Sequence, residues 1–451
     1  MSTPDCTFKN QAAGESQLTA NMIQLTIRLL PLLLAGAALT AQTSAKHART
    51  TNPAQEARAI QDSAIIIDTH ADTPQRFLDE NFDLGTVTSV GEGHMDLEKV
   101  RQGNLGAEFF SIWVEPKYAG HFAHRALALI DSVNQQAGRH PGEMMMAYSA
   151  EDIVRARSQR PRKFAALMGV EGGHAIENDL HLLRDFYRLG VRYMTLTWSN
   201  TNEWADSSGD INDAKVKHHN GLTDFGKEVV REMNRLGMLV DISHVSDKTF
   251  YDTLLISRAP VIASHSSARA LTNHPRNMTD DMLRAVARNG GVVQVNFFSA
   301  FIDEDFRKAY AAQAKERDQA VAAVDEKYKD ADAATRYREH DRAQKEWAAK
   351  IPRPPLKSLI DHLDHVAKVA GIDHVGLGSD FDGVSSLPQE IDSVADLPKI
   401  TQALLARGYT AAQVEKVLGG NFLRVFREAE RVSREMQGQT AAQSKAAKAS
   451  K

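Results

Sequence analysis

The chain has 451 residues, 42% of them hydrophobic and 25% charged, an ordinary globular composition with apolar material for one large core or two modest ones. A formal net charge of −4 and a pI near 6.5 leave no basic stripe for a phosphate backbone, so nucleic acid is excluded as an expected partner. The single cysteine, Cys6, lies in a segment expected to be removed, so no disulfide and no thiolate ligand is expected, and any metal must be held by histidine and carboxylate.

Residues 1–45 read as an export region. Arg28 precedes the apolar run Leu29 to Leu39, and small residues follow at Ala41, Ser44 and Ala45. The run is too short to span a bilayer. Met1 to Asn21 is polar, whereas Met22 opens a conventional signal, so translation is expected to start at Met22 and cleavage to fall near Ala45. No cysteine follows the run, which argues against a lipid anchor; the expected product is exported, periplasmic or secreted.

From Ala64 onward, short β-branched or apolar runs alternate with amphipathic stretches of helical period, the pattern of βα units around a parallel sheet. Roughly eight runs are found: Ala64–Asp68, Gly106–Ile112, Ala166–Val170, Tyr193–Thr197, Met238–Ile242, Val261–Ser264, Val292–Asn296 and His374–Gly378. That number favours an α/β fold of the TIM-like (β/α)8 barrel type over an open sheet. Between the runs lie helices such as Asp224–Leu236, with Phe225, Val229, Met233 and Leu236 on one face, and Asp280–Arg288. Asp303 to Ile351 is rich in Ala, Lys, Glu, Asp and Arg without a strand signal, and reads as a charged helical insertion between the seventh and eighth strands; it suits a lid, a dimer contact or a solvated hairpin. Pro352, Pro354 and Pro355 end it. One domain is expected over 46–436, followed by a disordered Ala, Lys and Ser tail over 437–451.

The chemistry sits where the runs end. His70 and Asp72 follow the first, Glu171 the third, His244 the fifth, His265 the sixth and Asp380 the eighth. In a (β/α)8 barrel these C-terminal strand ends converge on one face. A lone histidine at a strand end is more often a hydrogen-bonded structural group than a ligand, and Asp380 and Asp382 read equally as turn formers; the set carries the weight. Three imidazoles and three carboxylates without a thiol suit zinc or another borderline divalent ion, and exceed what one tetrahedral ion needs, so two ions are expected. Glu171 is the natural bridge, because its strand comes between the two histidine groups in order, and a water shared by the ions would be acidic enough to attack a carbonyl. His362 and His365 fit an amphipathic helix with its polar residues outward, His218 and His219 a polar loop, and His174 support behind the ligands.

The motifs IDTHADTP, GVEGGHAI, VDISHVS, ASHSSARAL, HPRNMTDDML and GLGSDFDG resemble those of the membrane (renal-type) dipeptidase family of amidohydrolase-like zinc peptidases, from about Ala64 to Glu430. The resemblance implies that His70 and Asp72 bind one ion, His244 and His265 the other, and that Glu171 bridges them. It implies further that Arg276 faces the substrate carboxylate or the developing oxyanion, and that Asp380 moves the proton from water to the leaving amine, or holds the free amine of the substrate. One position departs from the family: where many members carry histidine after Leu-Thr, this chain has Leu196-Thr197-Trp198, then Ser199 and Asn200. Trp198 cannot relay a proton, so Asn200 or Asn202 becomes the candidate donor, and Arg276, Trp198 and Asn200 the candidate substrate contacts. The expected activity is zinc-dependent hydrolysis of dipeptides, including those with a C-terminal D-residue, and the resemblance allows a homodimer. The competing readings are an exported metal hydrolase of N-acyl amino acids or lactones, and a non-catalytic metal- or ligand-binding relative.

Overall fold

The structure, a computed structural model, describes residues 53–449, with side chains described over 55–439; the export region lies outside the described residues. Nine parallel strands form the frame: β1 (Ile66–Ala71), β2 (Leu105–Trp113), β3 (Met144–Met146), β4 (Phe164–Glu171), β5 (Val191–Thr195), β6 (Leu239–Asp241), β7 (Ile262–Ala263), β8 (Val292–Val295) and β9 (Val375–Leu377). β2 pairs with β4 over Ala107–Trp113, and β9 pairs back to β1, so the sheet closes into an eight-stranded barrel with β3 outside the ring. Every expected run overlaps a strand. The additional β3 pairs only with the start of β4. It went unseen because three methionines carry neither β-branching nor a period.

The strands are buried on both faces, as a helix-wrapped parallel sheet must be. Alternation divides the core. Ile67, Phe109, Leu167, Tyr193, Leu239, Ile262 and Val292 cluster with Phe422 and Phe426 of the last helix, which plug the barrel from below. Ile66, Phe110, Ile112, Met168 and Val170 pack outward under the helices. The helix Asp224–Leu236 forms as its spacing implies: Thr223 accepts from the Gly226 N–H, Val229, Val230 and Met233 are buried, and Gly237 ends it at φ 84°. Among the described residues no helix is long and apolar enough to cross a membrane.

The charged insertion lies between β8 and β9, the seventh and eighth strands of the ring, as helices Glu304–Ala312, Ala314–Lys327 and Ala333–Ala348. Ala300, Phe306 and Ile351 make a small core at its foot. Its last helix packs against Thr73–Asp79, the helix that leaves β1 at the mouth of the barrel.

One expectation changes, and one element runs longer than the apolar period implies. The final helix runs Asn421–Ala449, past Gln437 where the unordered tail was placed, because Ala, Lys and Gln favour helical backbone even without a face to bury. His362 does not point outward. It is fully buried, with Nδ1 accepting from the Ala268 N–H at 3.0 Å and Nε2 3.3 Å from the Thr272 hydroxyl, so it ties the loop after β7 to the helix Leu356–Ala370.

Candidate metal centre

The strand-end residues meet at the mouth of the barrel. The ligand atoms of His70, Glu171 and His265 lie within 4.8 Å of one another, and so do those of His70, Asp72 and Asp380. His70 belongs to both sets. Glu171 Oε1 is 2.9 Å from His244 Nε2 and 3.5 Å from His265 Nε2, while its Oε2 is 3.4 Å from His70 Nε2. One carboxylate thus faces imidazoles from three strand ends, and Ser111 Oγ donates to its Oε2 at 3.1 Å.

The imidazoles are oriented from behind. His70 Nδ1 lies 2.8 Å from the Tyr193 hydroxyl, which donates to the Thr69 carbonyl at 3.1 Å. With its only proton committed there, that hydroxyl accepts from Nδ1–H, and His70 Nε2 turns toward Glu171 and Asp72. His265 is held in the same way: Ser264 Oγ donates to Asp241 at 2.6 Å and lies 2.8 Å from His265 Nδ1. Asp241 is fixed in turn by Thr195 and by the Ser243 and Ser264 N–H groups. Sequence reading passed over Tyr193, Asp241 and Ser264. An inward tyrosine on a strand looks like core, and only the position of its oxygen makes it a support for the ligands. The local backbone is built around them: a Cβ on Gly169 would stand 2.0 Å from Tyr193 Cζ. His244 and Asp380 hold left-handed φ of 67° and 65°, uncommon for residues with a side chain and concentrated at functional sites.

The electrostatics follow from burial and neighbours. Burial and the Arg276 charge push His244 down to about 3, so its imidazole is neutral at pH 7. His265 is lowered well below the usual range, again by burial first, then by the charge on His70. Burial alone would raise Glu171, but the charge of His70 and the hydrogen bonds of His244 and His265 hold it well below the carboxylate range. Burial first, and then the charges of Asp72 and Glu171, raise Asp380 to about 7, against the lowering effect of His70. Asn296 Nδ2 donates to its Oδ2 at 2.8 Å.

This arrangement fits a divalent cation. His244 Nε2 and His265 Nε2 stand 2.9 Å apart and lie 2.9 and 3.5 Å from Glu171 Oε1, so three potential ligand atoms converge on one point. His70 Nε2 and Asp72 Oδ1 are buried without a hydrogen-bond partner among the described residues. His244 and His265 are already neutral and Glu171 ionised, as cation binding requires, whereas His70, held well above the ordinary range against the effect of burial by Tyr193 and Glu171, gives up a proton when a cation binds.

Arg276 is 6% exposed and kept in place by the His265 carbonyl at 3.2 Å and the Ser266 hydroxyl at 3.4 Å. Burial lowers it to about 10, so it stays charged at neutral pH, and its Nε has no partner among the described residues. Trp198 is half-buried, its ring centroid 6.3 Å from that of His244. Asn200 is half-buried with an unpaired Oδ1, whereas Asn202 is spent on the loop, donating to the Leu196 carbonyl and accepting from the Trp204 and Ala205 N–H groups. Of the two candidate donors, Asn200 alone is available. His174 Nε2 donates to the Val114 carbonyl at 2.7 Å, behind the Glu171 loop.

The family model described as membrane dipeptidase, peptidase family M19, matches residues 54–440. Dipeptidase tcpJ of Claviceps purpurea is 36% identical over 355 residues, 77% of this chain and 72% of that protein. Among solved structures, the probable dipeptidase PvdM from Pseudomonas aeruginosa aligns with TM-score 0.69 and 27% identity, covering 84% of this chain and 99% of that one. A metallopeptidase from Rhodobacter sphaeroides, liganded with a phosphinate mimic of the dipeptide L-Ala-D-Ala, aligns with TM-score 0.64 and 25% identity over 81% of this chain and all (100%) of that one.

Proposed function

We propose, from the premise that this chain belongs to the membrane dipeptidase family of metallopeptidases, that it cleaves dipeptides with two zinc ions held at the barrel mouth. One ion would be held by His70 and Asp72, the other by His244 and His265, with Glu171 between them. The observation that carries this reading is the placement of Glu171, whose Oε2 faces His70 while its Oε1 faces His244 and His265. Zinc bound there would polarise the scissile carbonyl and bring a water's pKa close to neutrality.

The chain's own residues would do the rest. Asp380, raised to about 7 and aimed by Asn296, takes a proton from the attacking water and returns it to the departing nitrogen. Arg276 offers its fork to the substrate carboxylate or to the oxyanion. Trp198 occupies a place where many family members carry imidazole, so the Nδ2 amide of Asn200, whose side chain makes no hydrogen bond among the described residues, is the donor left on that side. Acceptance of a C-terminal D-residue is supported by the L-Ala-D-Ala mimic bound to the Rhodobacter sphaeroides relative. Export rests on the apolar run Leu29 to Leu39, and a homodimer on the family likeness alone.

Protein stripped of metal and reloaded should take up about two zinc ions per chain, with Glu171→Gln losing one or both. The reloaded protein should hydrolyse members of a dipeptide panel faster than the matching N-acyl amino acids. Inertness toward every dipeptide, C-terminal D-residues included, would overturn the reading.

A further inference from the structure

A feature of the mouth that metal chemistry does not use is a pair of indoles. Trp113 is the last residue of β2 and lies in register with Glu171 on β4, so it starts from the same rim as the central carboxylate. Its ring centroid is 5.1 Å from that of Trp198, at an interplanar angle of 53°, and Trp198 in turn flanks His244. Both are half-buried, in contrast to Trp204, which is fully buried and serves the core.

The backbone at both tryptophans is tied to segments that carry the cluster. The Trp113 carbonyl accepts from Gln75 Nε2 at 2.9 Å, and Gln75 lies in the helix that begins immediately after Asp72. The Trp198 carbonyl accepts from Ser207 Oγ, which is also 3.2 Å from the His244 carbonyl. Two large aromatic rings packed on each other therefore stand on the His244 side of a cluster of charged groups. Aromatic surface held this way binds an apolar side chain at little conformational cost. An acidic side chain there would lose water for at most one donor, the buried and unpartnered Trp113 Nε1–H, and would add a negative charge beside the carboxylates of Asp72, Glu171 and Asp380.

We infer that Trp113 and Trp198 form an apolar wall of the substrate pocket that selects dipeptides carrying an aromatic or large aliphatic side chain over those with a small or acidic one. This rests on the dipeptidase reading and names the substrate class of that same site. Trp113 is the specificity-determining residue that the family motifs do not mark.

The zinc-loaded enzyme is assayed with two series, X-Ala and Ala-X, where X is Phe, Leu, Ala or Asp. In one of them kcat/KM for Phe and Leu should exceed that for Ala and Asp at least tenfold. Trp113→Ala and Trp198→Ala should each shrink that ratio at least fivefold, and Trp113→Phe should restore most of it, which a merely structural role would not do. Phosphinate dipeptide isosteres provide a readout independent of turnover: the benzyl-bearing one should quench tryptophan fluorescence and bind at least tenfold more tightly than the methyl-bearing one, with most of the quench lost in Trp198→Phe. Flat ratios in both series, or a preference that survives both alanine variants, overturn the inference. If no dipeptide is cleaved, the activity reading is at fault, and equal binding of the two phosphinates then overturns the wall separately.

Discussion

Replacing Tyr193 by Phe removes one oxygen from a fully buried ring and nothing else. That oxygen accepts from His70 Nδ1–H at 2.8 Å and donates to the Thr69 carbonyl at 3.1 Å. Without it the imidazole loses the partner that keeps its proton on Nδ1, and a buried N–H left unpaired costs about 1–3 kcal/mol. The ring can escape that cost by moving the proton to Nε2, where it points at Glu171 and blocks the lone pair a cation needs. Loss of such an outer partner lowers metal affinity by about 10- to 100-fold, or ~1.4–2.7 kcal/mol, which agrees with the hydrogen-bond figure. Competition between the protein and a chromogenic chelator for zinc measures this directly, with thermal melting of the metal-free protein as the control for folding. Affinity within about twofold of wild type, in a variant that melts normally, would refute the claim that Tyr193 sets the His70 tautomer.

Three further outcomes are expected. Asp380→Asn should keep its zinc and lose about 10²- to 10⁴-fold in kcat, because the amide cannot carry the proton; turnover within tenfold of wild type removes Asp380 from that role. Gly169→Ala puts a methyl group 2.0 Å from Tyr193 Cζ, so either the ring or the strand must shift; a loss of about 1–3 kcal/mol or more in urea unfolding, accompanied by weaker zinc binding, is expected, and a neutral effect counts against tight packing behind His70. Acid should destabilise the protein through His94 and His362, both pushed down to about 4 by burial from an ordinary 6.5. Because the folded forms bind the proton less readily than the unfolded chain, their contribution is complete above pH 6.5 and is lost as pH falls toward 4, about 3 kcal/mol for each. Denaturant midpoints across that window should show the loss, and His362→Asn should remove its share; an unchanged pH slope in the variant would show that His362 titrates normally.

Strand positions were readable because a helix-wrapped parallel sheet buries both faces, leaving short apolar runs such as ALMGV and MLVDI that stand out from the amphipathic helices between them. The candidate site was readable for a related reason: polar residues that close such runs lie on the rim, and His70, Glu171, His244, His265 and Asp380 each close one. The misreadings have physical sources as well. The pattern around His362 is that of an exposed helical face, and only the loop after β7 folding over it turns that face inward. β3 has no periodicity to read, and the Ala- and Lys-rich stretch past Gln437 carries helix propensity that an absence of apolar period conceals.

The sequence by itself determined the kind of barrel, the family and the residue types gathered at its mouth, because apolar period and strand-end polarity are local properties of the chain. Tertiary structure decided which atoms face one another: that Tyr193 and Ser264 aim the imidazoles, that Asn202 is spent on its loop while Asn200 is left open, and that Trp113 meets Trp198 beside His244. Those relations depend on distances between segments far apart in the chain, set by closure of the ring, and no periodicity along a single segment encodes them.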